Sequence, residues 1–158
     1  MITKIQFLKY RKIVWPDDLG GSDIWVISVD GTHVWICEPG HPEFSQDSEY
    51  FSHKFQKAGI CYELGISLVS GHLVWLNGPF KAGKSDLKIF VEEGLEQRLL
   101  TLSKKGIADG GFLGHQETVL IPNPLDSYSV RKFKSRALKC HKDFNGMMKA
   151  FCILRERY

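Results

Sequence analysis

The stretch Ile24–Cys37, IWVISVDGTHVWIC, constrains this chain more than any other. Ile24 to Val29 is apolar but for one serine, which suits a strand covered on both faces. Asp30-Gly31 is a favoured two-residue hairpin turn, because glycine tolerates positive φ and aspartate bonds its own backbone. The residues that follow it read as a second, returning strand. Asp30 then has two readings. It is a turn residue, or it is a carboxylate at the mouth of a central strand, where it can hold a divalent metal.

Other elements are read around that hairpin. Residues 1–22 form a basic, aromatic lead-in with little regular structure expected, and 23–158 form the folded domain. Glu38–Lys57 reads as a long surface loop. Ile60, Tyr62, Leu64, Ile66 and Leu68 alternate as one face of a strand. Ser70-Gly71 turns the chain into a further strand over His72–Asn77. A helix is expected from Ser85, a good N-cap, with Asp86 at the positive end of its dipole. Leu87, Phe90, Val91, Leu95 and Leu99 form its apolar stripe, with Gly94 as a break or kink. Short strands end at Asp109 and span Thr118–Ile121. A long helix from about Ser129 carries Val130, Phe133, Ala137, His141, Phe144, Met148 and Phe151 on one side. The class is α/β, a mixed sheet with helices against it.

At 158 residues, one domain with a sizeable core is expected. No run approaches the ~20 apolar residues of a membrane span, and MITKIQFLKYRKIVW holds no signal-peptide core. Cys37, Cys61, Cys140 and Cys152 lack paired CxxC spacing, so free thiols in a reducing compartment are expected rather than a zinc cluster. The net charge of +3 is uneven: the chain from Arg131 onward carries +7 and the remainder −4. A basic C-terminal element points to a polyanion, or else is a solvated helix face.

Gly78–Ser85, GPFKAGKS, matches the phosphate-loop pattern after a strand and before a helix. A nucleotide-binding protein is one reading, with Lys84 reaching terminal phosphates and Ser85 holding Mg²⁺. Against it stand the hairpin origin of the strand and the bulk of Pro79 and Phe80 where small residues let backbone approach phosphate.

Asp30 and Asp109 share a setting, since each ends a short apolar strand and precedes a glycine. Two such carboxylates on adjacent strands, joined by a third acid from a helix, can hold a pair of divalent ions roughly 3.5–4 Å apart across a phosphoryl displacement. Hard oxygen ligands favour Mg²⁺ or Mn²⁺. The segments VDGTHVWICEPGHP, YFSHKFQKAGICYELGIS, LVWLNGPFKAGKSDLKIF, KKGIADGGFLG and RKFKSRA…HKDFNGMMKAFCILRERY, in that order, resemble the catalytic domain of DDE superfamily endonucleases, the Harbinger-type transposases and their derivatives. The resemblance runs from about residue 23 onward. It implies an RNase H-like fold with a mixed five-stranded sheet, antiparallel at strands one to three. It also implies metal-dependent cutting and strand transfer of DNA in the nucleus.

By position, Asp30 in VDGTH matches the family's first catalytic acid and Asp109 in IADGG the second. The third is a glutamate directly after a histidine. Here the histidine is His141 and the matching residue is Lys142, whose charge opposes a dication, so impaired catalysis is expected. Asp143 is the candidate substitute, though it lies ~100° further around the helix. Asp86 reads as a further acid near the site or as a helix N-terminal acid. His141 reads as a buried histidine, and His33 as facing either cleft or solvent. Lys54, Arg136, Lys139 and Lys149 are the candidate phosphate contacts. No upstream helical DNA-binding region is apparent, which leaves room for a separate DNA-binding partner protein. A non-catalytic DNA-binding or protein-interaction module on the same fold is the alternative.

Overall fold

The computed structural model describes residues 13–21, 23–37, 40–41 and 47–150. In chain order these form β1 (Trp25–Trp35), β2 (Phe51–Ser52), β3 (Lys57–Ser67), β4 (Leu73–Lys81), α1 (Asp86–Glu92), α2 (Leu95–Thr101), β5 (Lys105–Ile107), β6 (Val119–Leu120) and α3 (Tyr128–Met148). The class is α/β, with a mixed sheet of six strands where five were expected. The order is β2-β3-β1-β5-β6, and β4 also pairs β3. β1, β3 and β4 run antiparallel, while β5 lies parallel to β1 and β6 parallel to β5. Among the described residues no helix is long and apolar enough to cross a membrane.

The hairpin expected at Asp30-Gly31 does not form. β1 runs straight through both residues, with Asp30 opposite Leu64 and Gly31 opposite Glu63 in an unbroken ladder from Ile27 to Trp35. Pairing with a distant strand satisfies the backbone of the whole segment, which a two-residue turn would have split. Gly31 is explained by crowding instead of a turn, because a Cβ there would collide with Oδ1 of Asp86. The second expected hairpin, at Ser70-Gly71, does form, and Gly71 takes φ of 70°.

Two apolar clusters lie on the two faces of the sheet. Ile27, Val29, Ala108 and Val119 pack under Phe90, Leu95 and Leu99 of the α1–α2 pair, together with Phe112. Trp25, Ile107 and Leu68 pack under Phe133, Ala137 and Cys140 of α3. Successive residues of β5 and its extension, Ile107 and Ala108, serve opposite clusters, as the two-residue period of a strand requires. A register shift in β1 between Trp25 and Ile27 lets these two residues, which would otherwise share a face, do the same. Part of the lead-in joins the second cluster, for Ile13 is buried and Trp15 packs against Phe133 at 6.0 Å between ring centroids.

Local chemistry sets the helix ends. Ser85 accepts a hydrogen bond from Lys88 N at 3.2 Å, and Gly94, at φ of 96°, divides the expected single helix into α1 and α2. Ser85→Ala is expected to cost about 1 kcal/mol in denaturant unfolding, the usual cost of losing an N-cap. Ser127 caps α3 by accepting from Val130 N. Val130, Phe133, Ala137 and His141 of its predicted stripe are buried, while Phe151 lies outside the described residues. Cys37, Cys61 and Cys140 are free thiols.

Candidate carboxylate site

β5 is short, and β1 outruns it. Their last paired rung is Ser28 with Ile107. Asp30 and Asp109 each lie two residues beyond that rung, on strands that run the same way and sit about 4.8 Å apart. The two carboxylates therefore emerge together where the edge of β1 becomes open. Each also accepts a local backbone hydrogen bond, Asp30 from Gly31 N at 2.9 Å and Asp109 from Gly111 N at 2.8 Å.

A third carboxylate joins them. Asp86 opens α1, so it is the helix N-terminal acid that the sequence suggests, and it also leans over Gly31. Burial pushes its carboxyl up to about 6, with the charge of Asp30 adding to this and Asp109 contributing less. Asp30 is raised too, chiefly by burial and further by Asp109, against the attraction of His141 and Lys54. Asp30 and Asp86 are thus both held above the usual carboxylate range, chiefly by burial and further by the charges of neighbouring aspartates. Among the described residues, however, no three His, Cys, Asp or Glu side chains converge on one metal position.

α3 covers this edge. His141 is 1% exposed, and its Nδ1 lies 3.3 Å from the carbonyl of Ser28, to which it donates. Burial lowers the His141 imidazole below its ordinary pKa, so it is held neutral against the pull of Asp30. Two turns on, the Lys149 charge acts on His33. Asn145 stands between them on the same helix face, and among the described residues its buried Oδ1 finds no hydrogen-bond partner, nor does Nε2 of His141. Asn145 is the site residue that sequence reasoning missed. The signal available was its place four residues after His141.

Lys142 and Asp143 are not brought to this edge. Both are exposed and line a groove of about 860 Å³ with Lys134, Leu138 and Lys139. Asp143 is turned about 200° from His141 around the helix. Of the candidate phosphate contacts, Lys54 acts on Asp30 and Asp86, and Lys149 lies near His33. Arg136 faces a separate cavity with Tyr128 and Lys132, and Lys139 lies in the groove.

The phosphate-loop pattern does not build a phosphate cradle. Gly78 to Lys81 belong to β4. The amides that would face phosphate are already engaged: Ala82 N donates to Gly59 O, Gly83 N to Glu49 O and Lys84 N to Lys81 O. Lys84 Nζ turns back onto Glu92 and Glu93.

Comparison with known proteins yields no matching family model, no matching curated protein and no matching solved structure.

Proposed function

We propose that this chain is an RNase H-like, divalent-metal-dependent phosphoryl-transfer domain that acts on DNA in the nucleus, of the DDE endonuclease type its sequence resembles, with impaired catalysis. The observation that carries this is the register that sets Asp30 and Asp109 each two residues beyond the last rung of β1 and β5, with Asp86 over Gly31 and the Lys54 charge acting on Asp30 and Asp86. Mg²⁺ keeps several waters and is often held by only one or two carboxylates plus substrate phosphates. An open set of aspartates suits that behaviour, and Oδ1 of Asn145, which no donor among the described residues satisfies, supplies a further hard oxygen.

Asp30 and Asp109 would hold the ion, with Asp86 completing the negative field. A bound divalent ion would lower the pKa of an attacking water or hydroxyl and neutralise charge on the phosphate. Lys54 places a positive charge where the phosphodiester must approach. His141, donating to the Ser28 carbonyl, positions α3 against β1. Among the described residues α3 offers His141 and Asn145 at this edge and no carboxylate, which is the reason for weak catalysis. A module that binds DNA without cutting it is favoured by one observation, the lack of a three-ligand group among the described residues.

The tests are thermal stabilisation by Mn²⁺ and Mn²⁺-dependent nicking of supercoiled plasmid. The expected result is a rise in melting temperature with slow nicking, both lost in Asp30→Ala. No stabilisation by Mn²⁺ would favour the non-catalytic module. Asn145→Glu is expected to speed nicking about tenfold or more, equivalent to ~1.4 kcal/mol at the barrier. Lys142→Glu, facing the groove, is expected to leave the rate unchanged.

A further inference from the structure

Beyond the carboxylates, β1 continues into an aromatic cluster that the proposed chemistry does not use. The rings of His33 and Trp35 stack with centroids 5.7 Å apart and planes inclined by 22°. Phe55 meets both edge-on, at 5.1 Å from His33 and 5.2 Å from Trp35. Gly59 pairs with Trp35 and lacks the Cβ that would press on the indole at 3.0 Å, so the ring can lie down on the sheet. The cluster is not sealed, for Phe55 is 41% exposed at the turn between β2 and β3. Cations ring it: Lys54 Nζ lies 5.4 Å from the Phe55 centroid, Lys57 Nζ 5.8 Å from that of Trp35, and Lys149 is near His33.

An aromatic cluster that is half-buried at His33 and Trp35, exposed at Phe55 and bordered by lysines favours a ligand that is flat and apolar on its faces and anionic along its backbone. An unpaired nucleotide meets both demands, because every base has a π-face and every linkage a charge. A duplex does not, since its bases are stacked on one another. Gly31 and His33 are two residues apart on one face of β1, about 7 Å; Asp86 leans over Gly31 on that face, and Lys54 acts on Asp30, Asp86 and His33 alike. A strand stacked on the rings would thus pass its next phosphate towards the carboxylates.

We infer that His33, Trp35 and Phe55, with Lys54 and Lys57, form a stacking subsite for an unpaired base of single-stranded nucleic acid beside the carboxylate site. This subsite deepens the function proposed above and rests on it for its purpose, though the binding itself needs no metal. It is tested by fluorescence anisotropy of a labelled oligothymidylate, in EDTA, against the same-length abasic chain and a duplex. The unaltered protein is expected to prefer the oligothymidylate to both. Phe55→Ala is expected to weaken binding about tenfold, the effect of losing one base stack, while Phe55→Tyr keeps it. Phe55 is exposed, so melting temperatures of these variants should match the unaltered protein; Trp35→Leu is the second ring variant. Equal binding of the abasic chain, or undiminished binding by folded Phe55→Ala, would overturn the inference. Ring-dependent binding without Mn²⁺-dependent nicking would sustain the subsite and refute the catalytic proposal. Nicking with ring-independent binding would do the reverse.

Discussion

Asp126→Ala is expected to destabilise the protein by about 3–5 kcal/mol, measured by denaturant unfolding at neutral pH. Lys134 is 3% exposed, yet it carries an ammonium. Two acceptors satisfy it, Asp126 Oδ2 and the carbonyl of Ile121, each at 2.6 Å. The same carboxylate accepts from Asn123 N at 3.0 Å, so it also closes the turn before α3. Removing it strands a buried charge on one carbonyl, and the loss of that counterion costs more than the pair contributes. The double variant Asp126→Ala with Lys134→Met should recover much of the loss, because an apolar side chain needs no partner there. A loss under about 1 kcal/mol in the single variant would show that Lys134 escapes to water. The consequence for function is positional: this pair anchors the N-terminal half of α3, the helix that carries His141 and Asn145 over β1.

Glu63→Gln is expected to stabilise the protein by about 3 kcal/mol above pH 7 and to have little effect near pH 4.5. Glu63 is 3% exposed; its Oε2 accepts from Trp75 Nε1 at 2.7 Å, while its Oε1 has no partner among the described residues. Burial pushes its carboxyl up from 4.5 to about 7, and the charges of Asp86 and Glu93 add to this. Between those values the folded state keeps a proton that the unfolded chain has released. Stability from this residue therefore falls as pH rises from 4.5 to 7, and the full penalty stands above 7. Asp86, raised from 3.8 to about 6, acts in the same direction over a lower window. His33 and His141, both held below 6.5 by burial, act oppositely, since charging them on acidification favours the unfolded chain. Comparing the two proteins at each pH cancels those contributions. Glutamine keeps an oxygen for Trp75 and carries no charge, so its profile should be flatter. Parallel profiles would mean that Glu63 reaches solvent. The same protonation bears on the proposed metal site: protons compete for Asp86, and Mn²⁺ stabilisation should weaken as pH falls through about 6.

What was legible in the sequence was local. Ser85 caps a helix, Gly94 divides it, Ser70-Gly71 turns the chain, and the apolar spacing before Asp109 and through His141 marks a strand and a buried helix face. Each of these depends on residues within a turn or two of one another, so sequence neighbours decide them. The fate of Asp30-Gly31 was not local. As an isolated tetrapeptide it favours a reversal, but the ladder offered by β3 binds nine residues of β1 together and wins. The same holds for the carboxylates: the register of β1 against β5 brings Asp30 beside Asp109, and the packing of α1 over Gly31 adds Asp86. The tertiary structure also sorted the basic residues of α3, sending Lys149 towards the site and Lys139 and Lys142 into the groove. Helix rotation against the sheet makes that choice, and a charge count along the chain carries no information about it.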